Sequence, residues 1–120
     1  MLSFPTFGRG FTDEALEESR VAGEEAAVMA ERLGRTELVS AALDGVGSVW
    51  AMLGRPDAMI ESDERRLALL PAISDPAEIA DACSNAALPR ILVGRYRDAL
   101  ELGRRGVEAA WTEAPSATIF

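Results

Sequence analysis

Leu43-Asp44-Gly45-Val46-Gly47-Ser48-Val49-Trp50-Ala51-Met52-Leu53-Gly54-Arg55-Pro56 is the stretch that decides the fold. Leu43, Val46, Trp50 and Leu53 recur at helical spacing and form one apolar stripe. Gly54 supplies a C-terminal stop, and Pro56 stands near the start of the next helix, where its missing N–H costs nothing. That next helix is expected to end at Leu70, because Pro71 cannot continue it. The stretch therefore encodes a helical hairpin, with Trp50 and Leu53 expected at its buried seam.

Reading outward toward the C-terminus, Pro71-Ala72-Ile73-Ser74 is a longer connection. Asp75-Pro76-Ala77-Glu78 follows as a helix start: Asp75 caps, Pro76 occupies the first turn, and Glu78 reaches back. A fourth helix closes at Val93-Gly94, and a fifth runs from about Tyr96 to Trp111. Toward the N-terminus, Thr36 is placed to cap the second helix. Thr12 caps a first helix running to about Leu33, with Gly34 as its stop. The inward stripe of that first helix is expected to be Leu16, Ser19, Gly23, Ala26, Ala30 and Leu33, with its glutamates on a solvated face and Arg20 facing Glu24. No segment alternates with period two, so the fold class is all-α. Residues 1–11 read as a lead-in, 12–112 as one helical domain and 113–120 as a tail.

The quoted stretch, Leu43-x2-Val46-Gly47-x2-Trp50 with Pro56 and Pro71, resembles the tetratricopeptide repeat pattern. It is echoed forty residues on by Cys83-x2-Ala86-Ala87-x2-Arg90 and Val93-Gly94-Arg95-Tyr96. The rhythm of Ala30-Glu31-Arg32-Leu33-Gly34, Leu53-Gly54-Arg55 and Glu64-Arg65-Arg66-Leu67-Ala68-Leu69 is similar to the repeat regions of large bacterial regulators, those of the LuxR type and those with cyclase domains. The resemblance implies a TPR-like superhelix of five antiparallel helices, two hairpins preceded by a half-repeat. It also implies a concave wall built from the first helix of each hairpin, and no catalytic residues. The chain departs from the pattern where Met59, Asp63 and Arg66 replace Ala, an aromatic and Ala, and where Gly103 and Gly106 replace larger residues. Cys83 and Arg90 stand where Trp and Tyr are usual, and the forty-residue period exceeds the standard thirty-four.

Composition narrows the chemistry. The 120 residues carry a formal charge of −8, which disfavours nucleic acid and anionic membranes as partners. Histidine is absent, removing the commonest general base and metal ligand, and a single cysteine excludes an internal disulfide or a cysteine metal cluster. No metal and no cofactor is expected. All twelve basic residues are Arg, which with abundant Ala is consistent with a GC-rich bacterial genome. Met1 to Gly10 lacks a signal peptide's basic start and apolar run, and no apolar stretch reaches membrane-spanning length, so a cytoplasmic location is expected.

The expected function is a non-enzymatic scaffold that binds a peptide or partner domain on the concave wall. The wall residues are Asp44, Ser48 and Met52 from the second helix and Asp81, Ser84, Asn85 and Leu88 from the fourth. The alternative is a sensory or autoinhibitory repeat segment of a larger bacterial regulator. Asp63, at a seam position, is expected to be satisfied by Arg66 or by an arginine of an adjacent helix. Pro89 frees the Asn85 carbonyl for a water or a polar ligand group. Trp50, Tyr96 and Trp111 are expected to pack in seams, and Cys83 to be an inert packing residue. The apolar end of the last helix, continued by Ile119-Phe120, is expected to seek a neighbour, with a homodimer through a terminal helix as the simplest closure.

Overall fold

Three Gly-Arg pairs punctuate the chain in the same way. At Gly34, Gly54 and Gly94 the backbone is left-handed, with φ of 68°, 69° and 83°, a conformation glycine adopts without a Cβ penalty. Each glycine amide donates to the carbonyl of Glu31, Ala51 or Ile91, and each following arginine amide to that of Ala30, Trp50 or Arg90. These are three Schellman closures of one design. They bound the helices of the computed structural model, which describes residues 12–113: α1 Asp13–Arg32, α2 Thr36–Met52, α3 Pro56–Leu67, α4 Pro76–Leu92 and α5 Tyr96–Glu113. Among the described residues there is no strand, and no helix is long and apolar enough to cross a membrane. The fold is all-α, with five helices. The 1–11 lead-in and the end of the C-terminal tail, Ile119-Phe120 included, lie outside the described residues.

The helix starts differ in kind. Thr12 Oγ1 accepts from the Ala15 amide and Asp75 Oδ1 from the Ala77 amide, so both caps form as the sequence implies. Thr36 does not cap. It is the first residue of α2, entered from Arg35 without a side-chain cap bond. Glu78 does not reach back along α4, because its Oε2 is committed to Arg66 and Ser40. α3 ends earlier than expected, at Leu67, and the chain passes through a short 3-10 turn, Leu70–Ala72. That turn seats Leu70 and Ile73 against Ala82 and Cys83 in the core. The connection between hairpins is thus itself a packing element.

The helices make their main contacts in chain order, α1 on α2, α2 on α3, α3 on α4 and α4 on α5. Close approach is made by missing side chains. A Cβ at Gly23 would lie 2.8 Å from Val46 Cγ2, and one at Gly106 would lie 3.3 Å from Cys83 Cβ. The α1 seam is Leu16, Gly23, Ala27 and Ala30; Ser19, Ala26 and Leu33 are exposed. Alanine and serine on several faces made the expected stripe drift off the true one. Arg20 pairs with Glu17 where Glu24 was expected, and Glu24 instead reaches Arg65 of α3.

The aromatic expectations fail in part. Trp50 is half-buried, with the guanidiniums of Arg20 and Arg55 over its ring at 5.4 and 5.6 Å from the centroid. Leu53 is likewise half-buried. Tyr96 and Trp111 are 66% and 62% exposed. The physical reason is that α5 carries two apolar stripes. Ala99, Leu102 and Gly106 face α4, while Tyr96, Leu100, Val107 and Trp111 form a second stripe on the open side. Cys83 is fully buried, and burial pushes its thiol pKa up, in keeping with a packing role.

Candidate functional site: a buried arginine under an acidic groove

α3 carries its buried face as Met59, Ser62, Asp63 and Arg66, an unusually polar seam. Arg66 comes to lie between α2 and α4 with only 2% of its surface exposed. Its Nε donates to Ser40 Oγ at 2.9 Å, and its Nη1 to Asp44 Oδ1 at 3.2 Å. Its Nη2 donates to both Glu78 Oε2 and Asp81 Oδ2 at 2.8 Å. Ser40 passes the contact on by donating its hydroxyl to Glu78. Burial alone would lower the pKa of Arg66, but the bonds to Glu78 and Asp81 outweigh it, and the guanidinium is held above its ordinary value. Burial would raise the Glu78 carboxyl, but Arg66 and Ser40 hold it below its ordinary range. Only a planar fork of donors satisfies this many partners at once.

Above this hub lies a groove of about 330 Å³. α2 lines it with Asp44, Gly47, Ser48, Ala51 and Met52, α3 with Met59 and Asp63, and α4 with Asn85. Asn85 Nδ2 donates to Asp44 Oδ1 at 3.1 Å and to Asp81 Oδ2 at 3.2 Å, tying the walls together. Of the expected wall residues, Asp44, Ser48, Met52 and Asn85 meet in this groove, and Asp81 joins it through Asn85 and Arg66. Ser84 does not. Its Oγ lies on the side of α4 that faces Gly106 of α5. Leu88 is exposed and is not a lining residue.

Asp63 is not satisfied as expected. It is 5% exposed, and its Oδ2 is buried with no hydrogen-bond partner. Arg66 is spent on the hub. Arg90, also buried, donates from Nη1 to the Ala86 carbonyl at 2.8 Å and sets Nη2 3.3 Å from Glu64. Burial therefore dominates and raises the Asp63 pKa to about 7; Arg90 and Arg66 pull it down, while Asp44 and Glu64 push it up. α4 runs unbroken through Pro89, with Val93 donating to the Pro89 carbonyl.

The sequence reading did not identify Arg66, Glu78 and Ser40 as one cluster. A signal was present: Asp63 and Arg66 stand at positions where the repeat pattern wants apolar side chains, and α3 buries both. Among the described residues, no group of three or more His, Cys, Asp or Glu side chains is disposed to hold a metal ion. No family model, curated protein or solved structure matches the chain.

Proposed function

We propose that the chain is a non-enzymatic interaction module that binds a peptide or partner domain in the groove over Arg66. One observation carries the reading: Asp44, Ser48 and Met52 of α2 and Asn85 of α4 line one groove whose walls are cross-tied before any ligand arrives. A wall already fixed by Arg66 and Asn85 loses little freedom on binding, which favours affinity. The mixture of carboxylate, hydroxyl, amide and thioether groups suits recognition of side chains more than bond-making. The one thiol is buried away from the groove and raised in pKa, and there is no histidine to activate a nucleophile. The resemblance to tetratricopeptide repeats points the same way, since α2 and α4 would be the wall-forming helices.

Ser48 tests this. Its side chain is exposed and lines the groove, so Ser48→Trp fills the groove with little disturbance to the core. Peptides selected on the wild-type chain from a displayed library are expected to lose at least about tenfold in affinity for this variant, on the order of 1.4 kcal/mol. Unchanged binding of every selected peptide would remove the groove from the function.

A second reading, a repeat segment of a larger bacterial regulator, is favoured by the outer stripe of α5, which presents Tyr96, Leu100, Val107 and Trp111 to solvent. A further repeat stacked on this side would cover them. A natural reading frame several times longer than this chain supports that reading, and a frame of this length counts against it.

A further inference from the structure

Among the described residues, Asp63 Oδ2 is the only fully buried side-chain oxygen or nitrogen that lacks a hydrogen-bond partner. Burying a carboxylate without a counter-charge is costly, and folded proteins ordinarily pair such a group. Both nearby guanidiniums are committed elsewhere, Arg66 to Ser40, Asp44, Glu78 and Asp81, and Arg90 to Ala86 and Glu64. The hub itself is over-supplied with acid, since Asp44, Glu78 and Asp81 all converge on one guanidinium. Asp63 nevertheless faces an opening. It lines the groove, and its Oδ1 would lie only 3.6 Å from a Cβ at Gly47, another lining residue. Met52 and Met59 supply adaptable apolar lining in the same groove. What the site lacks is a positive charge on a slender apolar stem.

We propose that the groove receives the cationic end of an arginine or lysine side chain from a basic peptide, with ionised Asp63 as its counter-ion and Met52 and Met59 against the stem. This rests on the peptide-binding reading above and adds the ligand's chemistry. The charge of the whole chain, −8, would attract such a peptide from a distance. Binding is also coupled to pH. The charged or polar groups around Asp63 are Asp44 from α2, Glu64 and Arg66 from its own helix, and Arg90 and Asn85 from α4, and the balance leaves its pKa at about 7. A cation selects the ionised form, so apparent affinity follows the ionised fraction and drops about tenfold between pH 8 and pH 6.

The test is an NMR titration of the whole chain at fixed ionic strength, following the amides of Gly47 and Asn85 and the carboxyl carbon of Asp63. The probes are acetyl-Ala-Arg-Ala-amide and acetyl-Ala-Lys-Ala-amide, their citrulline and acetyl-lysine counterparts, and the guanidinium and methylammonium ions alone. The expected result is saturable shifts with the two cationic peptides, about tenfold weaker at pH 6 than at pH 8, and at least tenfold weaker with Asp63→Asn. Glu61→Gln, an exposed acid outside the groove, is expected to bind as the wild type does. Equal binding of the neutral peptides, or wild-type binding by Asp63→Asn, would overturn the cation site and leave the peptide-binding reading standing. Saturable shifts from the small ions, with none from any peptide, would support the cation site and overturn the peptide. Silence from every probe would overturn the inference.

Discussion

A carboxyl group that stays protonated near neutrality leaves a mark on stability. Asp63 has a native pKa of about 7 against an ordinary value of 3.8, so the folded chain holds a proton that the unfolded chain has released between those limits. Stability from this group is complete below about pH 4, falls as pH rises, and is lost above about pH 7. At about 1.4 kcal/mol per pH unit, the loss across that interval approaches roughly 4 kcal/mol. Asp63→Asn carries no such dependence. It is expected to match the wild type near pH 4 and to exceed it by a few kcal/mol at pH 8. Urea denaturation across that range is the check, and a difference that stays flat with pH would contradict the burial argument. The sequence marked Asp63 as a seam carboxylate but misassigned its partner. Arg66 is only three residues away, yet Ser40, Asp44, Glu78 and Asp81 compete for it from two other helices, and no local spacing reveals that competition. Glu78 was obscured for the same reason, because its position suits a capping box and only the tertiary fold turns it toward Arg66.

At the scale of the helix, glycines sort into two kinds that composition alone does not separate. Gly23 and Gly106 are contact positions, and Val46, which a Cβ at Gly23 would strike, is fully buried and has little room to yield. Gly23→Ala is expected to cost about 1–3 kcal/mol, the usual range for overpacking. Gly45 and Gly103 stand within helices with nothing within 4 Å of a built Cβ. There Gly→Ala is expected to add about 0.5–1 kcal/mol, through helix propensity and a less disordered unfolded chain. Thermal unfolding of these variants decides the matter: a change of the same sign at Gly23 and at Gly45 would refute the division. The ends of α1, α2 and α4 were legible because Gly34, Gly54 and Gly94 are chemically singular at those turns. Helix rotation was less so. In α1 and α5, apolar or small residues occupy more than one face, so periodicity admits more than one seam; α1 buries Ala27 where Ala26 was expected, and α5 turns Tyr96 and Trp111 outward.

For the whole molecule, packing in chain order leaves two ends among the described residues, and each exposes apolar side chains. α1 exposes Val21, Val28 and Met29, and α5 exposes Tyr96, Leu100, Val107 and Trp111. The α5 stripe flanks a shallow trough lined chiefly by apolar groups, among them Ile91 of α4 and Leu100 and Val107 of α5. Symmetric pairing of two such stripes would remove both from water at once. Sedimentation is expected to show concentration-dependent self-association of the wild-type chain, abolished in a Leu100→Glu, Val107→Glu double variant. A wild type that stays monomeric at high concentration would refute this.

α5 also lies directly over the chain's sole thiol, since Gly106 rests at Cβ contact distance from Cys83. A reagent in solution can reach that sulfur only after α5 has lifted from α4 or the Leu70–Ala72 turn has left Cys83. The labelling rate of Cys83 is therefore a clock for the opening of the elements packed over it. Compared with the rate of global unfolding, it reports whether that cover comes away by itself or only when the rest of the chain does.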